Sequence, residues 1–151
     1  MIRSKPDREL WARGIYRLLL SAGAPEPLAL LGAAQAVVES GWGEHVPGNN
    51  PWGIKPTPTQ PCAPGRPEIR AFPCLFDAVK AWLYLAQQSR LYSAPRAALQ
   101  AILSAPHSDA EASAAWETFG REFTARYCPA NRGYADLVLA IQRQIAPLVA
   151  T

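Results

Sequence analysis

The chain has 151 residues, of which 49% are hydrophobic and 18% charged, and carries a net charge of +3. That length suits one domain with a real core and is short for two, and the composition is globular rather than disordered. The mild positive charge is scattered, so no basic nucleic-acid footprint is expected, and no segment reaches the ~18 uninterrupted apolar residues of a membrane span.

In chain order, the spacing of Leu10, Ile15, Leu18 and Leu19 predicts a helix over about 7–22, closed by Gly23. The basic start before it does not read as a signal peptide, because Arg13 and Arg17 break the apolar patch that follows. Pro27 suits the first turn of a second helix, about 26–40. That helix is apolar nearly all round from Leu28 to Val38, with Gln35 its one polar interruption, so burial on every side is expected.

Between Gly41 and Pro73 lie eight of the fifteen prolines, a density incompatible with helix. Short extended pieces around 53–55 and 68–72 are predicted to pair as a small ribbon. Helical spacing returns over about 75–89, 95–103, 109–124 and 133–148. Trp82, Trp116, Phe119 and Phe123 fall at helical spacing and are expected in the core. The predicted fold is α+β and mainly α, one domain over 1–151, with a binding cleft between the proline-rich lobe and the helical body.

Three cysteines, Cys62, Cys74 and Cys128, leave at least one thiol over or paired between chains. A bridge between Cys62 and Cys74 would stabilise by roughly 3 kcal/mol; three free thiols is the other reading. The cysteine spacing, with no paired histidine, argues against a zinc site, and no cofactor is expected.

The chemically informative stretch runs from Glu39 to Lys55. A carboxyl in the last turn of a helix faces the negative end of the macrodipole, and burial beside Trp42 or Trp52 would add to the effect. Both raise its pKa toward the range in which a carboxylic acid can donate its proton to a leaving group. The alternative is a glutamate that ends the helix and points into water. Glu44 is expected at the surface, Asp77 as a helix N-terminal charge, and His45 and His107 as exposed. Ser40 has no partner of the kind a nucleophilic serine needs.

Ala34-Gln35-Ala36-Val37-Val38-Glu39-Ser40-Gly41-Trp42-Gly43 followed by Asn49-Asn50-Pro51-Trp52-Gly53-Ile54-Lys55 resembles the signature of glucosaminidase-type peptidoglycan hydrolases, glycoside hydrolase family 73. That family shows an AQAxxESGWG helix end and an NNLFGIK turn. Arg70-Ala71-Phe72, with Leu75, Phe76, Ala78 and Val79, resembles its FRxYxSxxEA stretch, and Tyr127 and Gly133-Tyr134-Ala135 resemble its tyrosine-rich segment. The likeness spans about 28–145 in the family's order.

The resemblance implies a lysozyme-like fold and cleavage of the β-1,4 bond between N-acetylglucosamine and N-acetylmuramic acid. It implies that Glu39 protonates the glycosidic oxygen, with Tyr134 or Tyr127 near the reacting sugar. Trp42 and Trp52 become the aromatic wall, Trp52 standing where the family usually has Phe, and Asn50 and Gly53 the floor. It further implies a monomer acting on peptidoglycan strands in the periplasm or cell envelope.

The lobe departs from the family by being short, with Glu68 its only carboxylate. Glu68 is then either the base of an inverting reaction, which needs carboxyl groups ~6.5–9.5 Å apart, or a solvated lobe residue. In the second case the substrate's own acetamido group serves as nucleophile, with a tyrosine, Tyr134 or Tyr127, positioning it. The neighbouring readings are a muramidase or lytic transglycosylase on the same scaffold, and a glycan-binding module without catalysis.

Overall fold

The computed structural model describes residues 4–150; the basic start at Met1 to Arg3 lies outside them. Among the described residues are six α-helices and one two-stranded antiparallel ribbon. The helices are α1 (Lys5–Ser21), α2 (Glu26–Ser40), α3 (Leu75–Gln88), α4 (Ser93–Ser104), α5 (Asp109–Tyr127) and α6 (Tyr134–Val149). The chain is therefore mainly helical with a small β element, and no described helix is long and apolar enough to cross a membrane.

Helix starts follow local chemistry. Ser4 accepts the Asp7 N–H and Pro6 occupies the first turn, so α1 begins two residues before the expected start at about 7. Ser108 and Glu111 cap α5 reciprocally: Glu111 N–H donates to Ser108 Oγ at 3.2 Å, and Ser108 N–H to the Glu111 carboxylate at 2.6 Å. The far end of α5 runs three residues past the expected 124 and stops at Tyr127. A tight turn follows, with the Asn131 N–H on the Cys128 carbonyl and the Tyr134 N–H on the Asn131 carbonyl. Tyr127 and Tyr134 thus stand on either side of one short turn, the last residue of α5 and the first of α6.

The core is built around α2, which packs against α1, α5 and α6 and is buried from Leu28 through Val37 apart from Leu30. One glycine on it is required by packing. A Cβ on Gly32 would lie 2.8 Å from the Trp82 ring and 2.9 Å from Leu19, so its absence lets the Trp82 indole lie against the helix. Trp52 stacks on Trp82 at 5.8 Å between ring centroids, and Phe123 meets the Trp82 edge at 5.6 Å. Trp82, Phe119 and Phe123 are buried as the spacing predicts, and Trp116 packs half-buried against them.

The lobe differs from the expected ribbon. β1 (Cys62–Ala63) pairs with β2 (Arg66–Arg70), with a bulge between the partners Cys62–Arg70 and Ala63–Arg66. The turn between them contains Gly65 at φ 69. The segment 53–55 is no strand, although the Ile54 carbonyl accepts one bond from Arg70 N–H at 2.9 Å. The reason is Asn50, whose amide takes over the backbone partners a strand would need. Its oxygen accepts the Ile54 N–H at 3.0 Å, and its nitrogen donates to the carbonyls of Ile54 and Arg70, both at 2.9 Å. All three cysteines are free thiols, and Cys74 Sγ donates to Asp77 at 3.2 Å.

Candidate active site

The sequence stops α2 abruptly just after Glu39. Gly41 takes a left-handed conformation, φ 58, and Trp42 N–H reaches back to the Val37 carbonyl at 3.0 Å, the Schellman way of ending a helix. Trp42 and Gly43 continue in the left-handed region at φ 62 and 80, which is strained for a tryptophan. The surroundings hold the turn in place. Ser40 Oγ donates to the Ala36 carbonyl at 2.6 Å and accepts the Gly43 N–H at 2.8 Å. A Cβ at Gly43 would lie 2.4 Å from the Trp11 ring, so that ring fits only a glycine. Ser40 is therefore a buried framework residue. Glu44, expected at the surface, is instead partly buried in an ion pair with Arg8 at 2.9 Å, which ties the turn to α1.

Glu39 itself is exposed as a residue, but one carboxyl oxygen is lodged against α6. The Tyr134 hydroxyl donates to Glu39 Oε1 at 2.5 Å. Tyr134 is 4% exposed. Its oxygen receives the Gln35 amide at 3.0 Å, and Gln35 Oε1 receives the Trp82 indole N–H at 2.7 Å. A buried polar chain thus runs from the core to the carboxyl. Partial burial raises the Glu39 pKa above its ordinary value, and the Tyr134 hydrogen bond pulls it partly back. Burial, then the bond to Glu39, also raises the Tyr134 pKa; Tyr127 is raised by burial and then by the Glu39 charge. Both phenols keep their protons at neutral pH.

The other residues singled out in the sequence divide sharply. Trp52 is not a wall of the site: it is 0% exposed, its indole N–H bonds the Gly32 carbonyl at 2.9 Å, and its ring is spent on Trp82. Asn50 is no cleft floor either, being 2% exposed with its amide used to fold 50–54 and hold Arg70. Tyr127 is half-buried beside Glu39, but its hydroxyl donates to the Trp52 carbonyl at 2.8 Å rather than outward. Trp42 remains half-exposed, on the turn that ends the Glu39 helix.

Glu68 lies on β2 with its side chain 56% exposed, ion-paired to Arg66 at 2.5 Å. The hydrogen bond from Arg66 lowers its pKa, and it is not among the groups acting on Glu39. Asp77 sits in the first turn of α3, bonded by Lys80, as its position predicts. His45 and His107 are exposed. Two residues of the network escape a reading for catalytic types, Gln35 and Trp82. The available signal was Gln35 itself, since a lone amide in a wholly apolar helix must have buried partners.

The described grooves lie away from this chemistry. One of about 620 Å³ runs between α1, α2, α5 and α6, lined by Tyr16, Leu30, Trp116 and Leu139 among others. Two of about 350 Å³ border α4. None of the three includes Glu39. Among the described residues, no three His, Cys, Asp or Glu side chains gather to hold a metal. Comparison of the chain with protein-family models, with curated proteins and with solved structures gave no match.

Proposed function

We propose that the protein is a peptidoglycan hydrolase, an endo-β-N-acetylglucosaminidase with a lysozyme-like fold and Glu39 as general acid. The observation that supports this reading is the state of Glu39: a carboxyl at a helix end, raised in pKa by burial and oriented by Tyr134. A group so held keeps its proton to a higher pH and can pass it to the departing glycosidic oxygen. The half-exposed Trp42 on the adjoining turn supplies an aromatic face for a sugar ring.

Glu68 is better read as a lobe residue than as a base, because its carboxylate is spent on Arg66 in solvent. Hydrolysis then runs through the substrate's acetamido group. Its carbonyl oxygen attacks C1 while the C1–O bond to the leaving sugar breaks and Glu39 gives up its proton. Water next attacks C1, the bond to the acetamido oxygen breaks, and the Glu39 carboxylate takes the water's proton. The product keeps the β configuration. Tyr134 serves this scheme by holding Glu39, since its one hydroxyl hydrogen is already used.

The test is lysis in a peptidoglycan gel by the wild type and Glu39→Gln. Clearing by the wild type alone is expected. A Glu39→Gln variant that still clears, or a wild type that binds sacculi without releasing fragments, overturns the proposal; the second result favours a binding module.

A further inference from the structure

The geometry points to Trp82 and Gln35 as positioning residues that fix, through Tyr134, which oxygen of Glu39 carries the acidic proton. For catalysis this rests on the reading of Glu39 as the acid; the hydrogen-bond directions do not depend on it. An indole N–H can only donate. At 2.7 Å from the Gln35 side chain it must face the amide oxygen, which turns the NH₂ group toward Tyr134, 3.0 Å away. The Tyr134 oxygen accepts that bond, so its own hydrogen is directed to Glu39 Oε1. Reversing Gln35 would oppose two donors at the indole in a buried site, leaving both unsatisfied.

The direction of the whole chain is therefore set by a tryptophan that reaches Glu39 only through two intermediates. Because Oε1 is occupied as an acceptor, the labile proton belongs on Oε2, the oxygen left for a substrate. Successive bonds that point the same way polarise one another, so Tyr134 is a stronger donor to Glu39 with Gln35 behind it. Tyr127 of α5 also faces Glu39, whose charge adds to burial in raising the Tyr127 pKa, and the Tyr127 hydroxyl is held by the Trp52 carbonyl outside this chain.

The experiment is a ¹³C-carboxyl NMR titration of Glu39 in the wild type, Trp82→Phe, Tyr134→Phe and the double variant. Phe keeps an aromatic ring between Trp52 and Phe123 while removing the indole N–H. Trp82→Phe is expected to raise the Glu39 pKa by about half a pH unit and Tyr134→Phe by about one, with no further rise in the double variant. A Trp82→Phe titration that overlays the wild type while Tyr134→Phe shifts overturns the inference, as does additivity in the double variant. If Trp82→Phe does not fold, Gln35→Met replaces it, with the same expected rise and the same overturning result. Where the wild type lyses peptidoglycan, the alkaline limb of its pH profile should move up with the titration. A relay that titrates as expected in a protein without lytic activity leaves this inference standing and sinks only the hydrolase proposal.

Discussion

Glu39 and Glu68 are both exposed glutamates of one chain, but one leans its carboxyl on a buried phenol and the other on a solvated guanidinium. Their pKa values move in opposite directions as a result: burial lifts the first, and the Arg66 hydrogen bond lowers the second. Residue type is the same in the two, and each is exposed when the whole residue is counted. What differs is how far the carboxyl itself is withdrawn from water: that of Glu39 is partly buried against Tyr134, which suits the proposed proton donor, while that of Glu68 stays in solvent, ion-paired on the lobe. The pair also separates two kinds of cost. A raised carboxyl is a destabilised charge, whereas an exposed ion pair contributes little in either direction.

The comparison can be broken in several places. The largest effect is expected from Glu39→Gln, a loss of about a thousandfold in lytic rate measured as turbidity of sacculi, because general-acid help is gone. Tyr134→Phe should cost about tenfold at the wild-type optimum, since Glu39 loses its orienting bond. Gly32→Ala probes the support behind the network. The added Cβ would press on Trp82 at 2.8 Å, so stability in urea should fall by about 1–3 kcal/mol.

Stability against pH sharpens the contrast. Glu39 has a raised folded-state pKa, so the stability it contributes is full below the unfolded-state value and is lost as pH rises through the folded value. The melting temperature of Glu39→Gln relative to wild type should therefore be higher at pH 7 than at pH 4. Glu68 has a lowered folded-state pKa, and its contribution is present at neutral pH and lost as pH falls through the folded value. The smallest effect is expected from Glu68→Gln: lysis within about twofold of wild type and no measurable change of melting temperature at pH 7. A large loss of lysis there would restore Glu68 as a base.

Much of the helical frame was legible in the sequence because caps and glycines announce it. Pro27 opens α2 and Gly41 closes it, which put Glu39 at a helix end before any contact was known. Tyr127 and Tyr134 were placed near the site, but their roles were not, because what a phenol does depends on which acceptor meets its hydroxyl. Trp52 was misplaced for a related reason. Beside a turn it reads as a sugar platform, and only the Gly32 carbonyl and the face of Trp82, both distant in sequence, draw it into the core. Asn50 looked like a binding amide and proved to be a substitute for strand pairing. Gln35 was noticed as the one polar residue of an apolar helix; its partners lie 47 and 99 residues away, beyond what local pattern can show.

The central claim, that Glu39 is the acid of a glucosaminidase, is tested most directly by mass spectrometry of the fragments released from purified sacculi by the wild type and Glu39→Gln. The account predicts fragments ending in reducing N-acetylglucosamine from the wild type and none from the variant. Reducing muramic acid or anhydro-muramic ends, or the same fragments from Glu39→Gln, would contradict it.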